Sequence, residues 1–316
     1  MNDFTKVLKK PKSKVLILRR EGSLGDAVLT HGYYSSLKQF NKDIEIHVFC
    51  FHSAYEYCKK LKEIDHLYRI KIRKLRKHRC FIYFLFLGLL FRLKKMDLII
   101  DDNPFDGLNW KMFTWLMGRN KIFTNKQGYP SVPARVKGVL AELGIPYQKP
   151  TIEILPEAQK TVNEFLKLNK ISDYIVLNCF ASAPERNFTP VMFKNMVKEI
   201  RRKDKEIAII LPYQLFLEKI LTQFKTDDKN VFFFPTRTPQ EVFALLADNR
   251  NKLLISPDTS FIHIAAVLNK NTISIRNKIS YYPACNNLAT EIVANSENVN
   301  DIDFNLFSQA LNKYNI

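Results

Sequence analysis

Lys14-Val-Leu-Ile-Leu-Arg-Arg-Glu-Gly22-Ser-Leu-Gly25-Asp26-Ala-Val-Leu-Thr30-His31 decides the fold. Val15 to Leu18 is an apolar run of β type. It meets a glycine-bearing turn, and the turn opens a helical pattern that continues through Leu37. Strand, tight turn and helix form the opening step of a βαβ unit. In a parallel sheet such a junction falls at the carboxyl edge of the strand, where α/β proteins bind their ligands. One carboxylate, Asp26, stands there. The residues alone leave it two roles: capping the helix or doing chemistry.

Outward from this stretch, strands and helices alternate. Strands are expected at residues 14–20, 44–49, 66–70, 97–101 and 121–124, and helices at 26–40, 53–61, 81–95, 107–117 and 133–143. Gly144-Ile-Pro146-Tyr-Gln-Lys-Pro150 reads as a boundary. Beyond it the pattern resumes, with strands at 174–179, 206–211, 231–234, 252–256 and 272–275. Helices are expected at 156–169, 190–203, 215–224, 238–247, 260–268 and 303–313. Thr238 is the expected N-cap of its helix, with Pro239 at the first helical position. The pattern predicts α/β architecture with parallel sheets: two Rossmann-like domains, 1–150 and 151–316, facing a central cleft. The last helix is also able to pack back on the N-terminal domain.

A chain of 316 residues suffices for two such cores. Its 46% apolar and 25% charged residues are those of a globular protein, not a disordered one. The five cysteines, Cys50, Cys58, Cys80, Cys179 and Cys285, are odd in number and form no CxxC pair. That points to reduced thiols and away from a zinc site. The first residues lack the apolar core of a signal peptide, so the expected location is cytoplasmic.

The net charge of +18 is unevenly placed. Residues 1–150 hold 29 Lys+Arg and 13 Asp+Glu, 29 − 13 = +16; residues 151–316 hold 20 and 18, 20 − 18 = +2. The first half is built to face a polyanion: a nucleic acid, an anionic membrane or a phosphorylated substrate. No RRM, KH, zinc-finger or helix-turn-helix signature accompanies the charge, which argues against nucleic acid. Lys71, Arg73, Lys74, Arg76, Lys77 and Arg79 concentrate it. Residues 80–91 then carry no charge, a run too short for a span of about 20 apolar residues. Basic flanks around an aromatic-rich helix suit an anionic leaflet surface. A core helix between solvated basic turns has the same pattern.

Leu253-Leu-Ile-Ser256-Pro-Asp258-Thr259-Ser260-Phe-Ile-His263-Ile-Ala265-Ala266 is a second strand-to-helix junction. The unbonded N–H groups and dipole of a helix start attract anions. Thr259 and Ser260 add hydroxyl donors, His263 follows one turn later, and Asp258 can accept sugar hydroxyls. Equally, Asp258 or Thr259 can be an N-cap and His263 a satisfied buried imidazole. A third junction is Asn178-Cys-Phe-Ala181-Ser182-Ala-Pro-Glu185-Arg186-Asn-Phe188-Thr-Pro190. Here Ser182 and the planar fork of Arg186 suit a phosphate, or form an ordinary solvated loop.

Together the three stretches resemble glycosyltransferase family 9, the bacterial heptosyltransferases of lipopolysaccharide core synthesis. The family's strand–GxLGD–helix opening is matched by Gly22-Ser-Leu-Gly25-Asp26. Its strand–DTGxxHxAA pattern is matched from Asp258 to Ala266, with Ser260 in the glycine position. Its middle K-x-W-P element is matched loosely, with Arg186 in the lysine position. Its G-P-T-x-P-type loop is replaced by Arg276-Asn-Lys-Ile-Ser-Tyr-Tyr-Pro283.

The resemblance implies a GT-B fold, with the acceptor on the first domain and a nucleotide-sugar on the second. It implies inverting, metal-independent transfer of heptose from ADP-heptose to the Kdo/heptose inner core of lipopolysaccharide or lipooligosaccharide. Asp26 is then the catalytic base, and Gly22, Ser23 and Gly25 form the acceptor-side loop. Ser182, Arg186, Asp258, Thr259, Ser260 and His263 bind the donor, and no cofactor or metal is expected. The acceptor is an anionic glycolipid of the lipid A–Kdo type, reached from the inner face of the cytoplasmic membrane through the basic patch. Other readings are another nucleotide-sugar, a different surface glycan or protein acceptor, or a non-catalytic protein that binds nucleotide or anionic lipid.

Overall fold

The structure, a computed structural model, describes residues 3–18, 23–70, 77–101, 108–117, 122–124, 131–279 and 287–316. The chain forms two compact units, Met1–Pro150 and Thr151–Ile316.

The first unit runs α1 (Asp3–Leu8), β1 (Lys14–Leu18), α2 (Leu24–Phe40), β2 (Glu45–Phe51), α3 (His52–Cys58) and β3 (His66–Ile70). It continues α4 (Lys77–Leu93), β4 (Leu98–Asp101), α5 (Leu108–Met117), β5 (Ile122–Thr124) and α6 (Val132–Glu142). The strands form a parallel sheet in the order β3-β2-β1-β4-β5. Every residue of β1 except Lys14, and every residue of β4, is buried. Helices cover both faces of such a sheet, so its strands read as unbroken apolar runs. Leu16, Leu18, Phe49 and Ile99 pack beneath Leu87 and Phe91 of α4 and Phe113 of α5. Gly88 lets α4 and α5 approach. A Cβ there would stand 3.0 Å from the Leu116 Cβ and 3.3 Å from the Phe113 carbonyl oxygen. Gly144, at φ +70°, ends α6, as the left-handed C-cap position favours.

The second unit runs α7 (Pro156–Leu168), β6 (Tyr174–Leu177), α8 (Pro190–Lys203), β7 (Ala208–Gln214), β8 (Val231–Thr236) and α9 (Pro239–Ala247). Then come β9 (Asn251–Pro257), α10 (Ser260–Leu268), β10 (Thr272–Arg276), β11 (Ala289–Val293) and α11 (Phe304–Lys313). Its sheet is parallel in the order β11-β10-β9-β6-β7-β8. Thr238 caps α9 with Pro239 in the first turn, as expected, and Glu241 completes a reciprocal capping box.

Several features depart from the sequence expectations, among them β7, which continues past residue 211 to Gln214. α1 and β11 were not foreseen. Residues Leu215–Phe224 form a 3-10 helix instead of an α-helix. And α11 buries Phe307, Ala310 and Leu311, an i, i+3, i+4 stripe, in the second unit's own core.

Candidate active site

Strand order locates a ligand edge in each unit. The first sheet grows outward in both directions from β1 and β4, and the second from β6 and β9. Parallel sheets bind ligands beyond the carboxyl ends of strands at these reversal points. The three stretches singled out in the sequence follow β1, β6 and β9.

In the first unit, Ser23 is the N-cap of α2, with φ −79° and ψ 152°. Its Oγ accepts a hydrogen bond from the Asp26 amide at 3.1 Å, and its hydroxyl donates to Asp26 Oδ2. Ser23 is therefore the cap, and Asp26 stands partly exposed in the first turn. A carboxylate there is favoured by the helix dipole. Among the described residues, Asp26 Oδ1 accepts no hydrogen bond. Gly25 is buried beneath it, and Gly22 lies outside the described residues.

Two further polar groups of this unit were given no role from the sequence. Asp101, 2% exposed, ends β4 and is in register with Leu18 of β1. His31, buried on α2, holds Nδ1 2.9 Å from the Tyr57 hydroxyl and Nε2 3.4 Å from Glu63 Oε1. Hydrogen bonding from His31 holds the Glu63 carboxyl below its usual range against the opposing effect of burial.

In the second unit, Arg186 gathers the donor-side residues. One guanidinium nitrogen donates to the Asp258 carbonyl at 2.9 Å and lies 3.4 Å from Asp258 Oδ2; the other donates to Ser182 Oγ at 3.2 Å. The Arg186 and Asp258 side chains are 30% and 17% exposed. Thr259, not Asp258, is the N-cap of α10, and its Oγ1 accepts from the Phe261 amide at 3.2 Å. Asn178, at the end of β6, fixes this cap. Its Nδ2 donates to Ser256 Oγ at 3.0 Å and to Thr259 Oγ1 at 3.2 Å. Ser260 opens the helix, and His263 follows one turn after Thr259, partly buried. At the β6/β9 edge, Ser182, Arg186 and Asp258 thus form one hydrogen-bonded group, and Thr259 at the adjoining helix N-terminus belongs to a second. Asn178 and Ser256 complete the second group, although no sequence signal gave them a role. Their partners are 78 and 3 residues away, and only the β6–β9 pairing brings the three together.

Lys71, Arg73, Lys74 and Arg76 lie outside the described residues, as do the side chains of Lys77 and Arg79 and part of the loop after β10. The side chains of α4 are described from its middle. Leu87 and Phe91 of α4 enter the core, whereas Phe86, Leu89 and Leu93 are 64%, 44% and 80% exposed. Trp115 on the adjoining α5 is also exposed. The core reading therefore holds for one face of this helix, and the opposite face is apolar and exposed. No helix among the described residues is long and apolar enough to cross a membrane.

Neither protein-family models nor curated protein sequences give a match to this chain. Solved structures do. A family 9 glycosyltransferase from Veillonella parvula superposes with a TM-score of 0.77 over 97% of this chain and 98% of its own, at 13% identity. The E. coli ADP-heptose lipopolysaccharide heptosyltransferase II matches with a TM-score of 0.68 over 96% of this chain and 98% of its own, at 16% identity. A UDP-GlcNAc 2-epimerase from Methanocaldococcus jannaschii reaches 0.56 over 95% and 91%, at 14% identity. At these identities the likeness is one of fold: the chain has the GT-B fold of the family 9 glycosyltransferases.

Proposed function

We propose that the protein is an inverting, metal-independent glycosyltransferase. It moves heptose from ADP-heptose onto the Kdo/heptose inner core of lipopolysaccharide or lipooligosaccharide, working at the inner face of the cytoplasmic membrane. The supporting observation is the Arg186–Ser182–Asp258 assembly beside the α10 N-terminus at the reversal point of the second sheet. It has a counterpart in Asp26 at the same position of the first.

In this reading the acceptor hydroxyl gives its proton to Asp26 Oδ1, which must come within roughly 2.6–3.2 Å of it. The hydroxyl oxygen bonds to the anomeric carbon from the face opposite the nucleotide. The bond from that carbon to the diphosphate oxygen breaks, and its electron pair leaves with the diphosphate. Arg186, Ser182, Ser260 and the α10 N-terminus stabilise the charge that builds there. Thr259 contributes as the cap that sets the helix start. Asp258, steadied by Arg186, takes sugar hydroxyls, and His263 borders the donor. Ser23 fixes Oδ2 and so aims Oδ1.

A melting-temperature screen tests the donor: ADP-heptose against ADP-, UDP- and GDP-hexoses and UDP-GlcNAc, each stabilising according to its affinity. ADP-heptose is expected to give the largest rise, and a rise with a UDP sugar alone would reassign the donor. Asp26→Asn is expected to lower transfer at least about a thousandfold while the donor-induced rise persists. Retained turnover in that variant removes Asp26 from the mechanism. Donor binding with no transfer by the wild-type protein to any core acceptor would leave a binding protein.

A further inference from the structure

A second cluster of chemically competent side chains lies at the opposite edge of the first sheet, where its strands begin. Glu45 opens β2, and His47 follows two residues later on the same face, by the strand's period of two. His66 opens β3 in direct register with His47. Glu45 Oε1 stands 2.9 Å from His47 Nε2 and 2.9 Å from His66 Nε2. The three potential ligand atoms all fall within 4.8 Å of one another, and the two imidazoles stack with centroids 4.4 Å apart. His47 is buried, Glu45 is partly buried, and the His66 side chain is 47% exposed.

A carboxylate that accepts from one histidine is an ordinary ion pair. Two imidazoles meeting at one carboxylate oxygen are a set of three donors around a common point. The surroundings fit that description. His47 Nδ1 lies 3.0 Å from the Tyr68 hydroxyl, which can accept its N–H and leave the Nε2 lone pair for an ion. Metal-bound histidines are oriented in this way by an outer partner. The other oxygen of Glu45 lies 3.9 Å from Lys14 Nζ, which leaves Oε1 for the cluster. Lys94, over the Tyr68 ring at 5.6 Å, also weakens the attraction for a dication.

We propose that Glu45, His47 and His66 bind a divalent transition ion of the zinc type through Oε1, Nε2 and Nε2, with water in the fourth place. Imidazole with carboxylate suits zinc, nickel or copper, and lacks the oxygen-rich shell that calcium and magnesium require. Bonds of about 2.0–2.2 Å in a tetrahedron space the ligands about 3.3 Å apart. The present 2.9 Å separations therefore open by about 0.4 Å, and exposed His66 has room to turn. The absence of a cysteine zinc motif has no bearing on such a site. It sits at the amino edge of the sheet, away from the ligand edge, so its role is structural. β3 is an edge strand paired only with β2, and the ion clips the two together just before the chain enters residues 71–79.

The test uses the full-length, tag-free protein after treatment with a chelator. Calorimetric titration with Zn(II) is expected to show one equivalent bound, and Co(II) to give the visible absorption of a tetrahedral site. Saturating Zn(II) is expected to raise the melting temperature by roughly several degrees, and Mg(II) to leave it unchanged. His66→Ala removes an exposed side chain and keeps the fold. It should weaken Zn(II) binding at least about tenfold and abolish the thermal shift, with Glu45→Gln doing the same. Absence of stoichiometric Zn(II) binding by the wild type, or unchanged binding by folded His66→Ala, overturns the proposal. No nucleotide-sugar enters the assay, so its outcome is independent of the transferase reading.

Discussion

At the scale of single residues, the deciding question is which side chain caps and which remains for chemistry. Ser23 caps α2 and also donates to the Asp26 carboxylate, so one hydroxyl answers both demands. Its Ser-x-x-Asp spacing resembles a capping box, which is why the sequence points to Asp26 yet leaves its role open. Thr259 and Asn178 mark the limit of what local spacing can say. Thr259 was one of two candidate caps, but the amide that holds it comes from 81 residues away. On the same helix, the buried His31 holds Nε2 3.4 Å from Glu63 Oε1. A carboxyl held below its unfolded value near 4.5 adds stability above that value and loses it as pH falls through the lower folded value. Glu63→Gln is therefore expected to cost roughly 1 kcal/mol at neutral pH. The gap from wild type should close as pH drops below 4.5. Urea unfolding at neutral and acid pH checks this, and a gap independent of pH would mean that Glu63 acts through packing alone.

At the scale of elements, the buried parallel strands were readable because both of their faces are covered and they become continuous apolar runs. What escaped, or was given the wrong helix type, buries few of its side chains. β11 buries only Ile292 and forms the sheet edge, so neither a run nor an alternation marks it. Residues Leu215–Phe224 bury Leu221 and Phe224, three positions apart, a spacing that eclipses in a 3-10 turn. α4 was ambiguous for the opposite reason: it is apolar on all sides, and such a helix gives no clue to which face is covered. The structure divides it, with Leu87 and Phe91 inward and Phe86, Leu89 and Leu93 outward beside Trp115. Positions 86, 89 and 93 follow the i, i+3, i+7 spacing of a helical stripe. An exposed apolar stripe following a basic run fits insertion of its side chains among lipid headgroups. Replacing Phe86, Leu89, Leu93 and Trp115 together by Ser is expected to cut partition onto anionic vesicles at least about tenfold. The melting temperature should change little, because all four side chains are exposed. Sedimentation with vesicles measures the partition, and undiminished binding would reassign the stripe to another partner.

At the scale of the whole molecule, charge and topology divide along the same line. Each unit carries its own parallel sheet and its own reversal point, yet residues 1–150 hold +16 and residues 151–316 only +2. A nucleotide-sugar is a small anion that a few directed donors can hold, and in the proposed reading the Arg186 group supplies them without a large field. An anionic leaflet is an extended surface that rewards many cations at once, each worth about 1 kcal/mol near the surface. The two binding events should therefore separate by their dependence on charge. Lys74→Glu, Arg76→Glu and Lys77→Glu in one chain remove three such contributions, about 3 kcal/mol or more than a hundredfold in vesicle affinity. ADP binding should move far less. Raising the salt from about 50 mM to about 0.5 M shortens the screening length severalfold and should release the wild type from vesicles in the same manner. Calorimetry with ADP and sedimentation with vesicles, run on both chains at both salts, give the comparison. Equal loss of nucleotide and vesicle binding would mean that the charge supports the fold of the whole chain. Vesicle binding insensitive to both charge and salt would assign the contact to the apolar stripe of α4, and leave the basic segment for another polyanion.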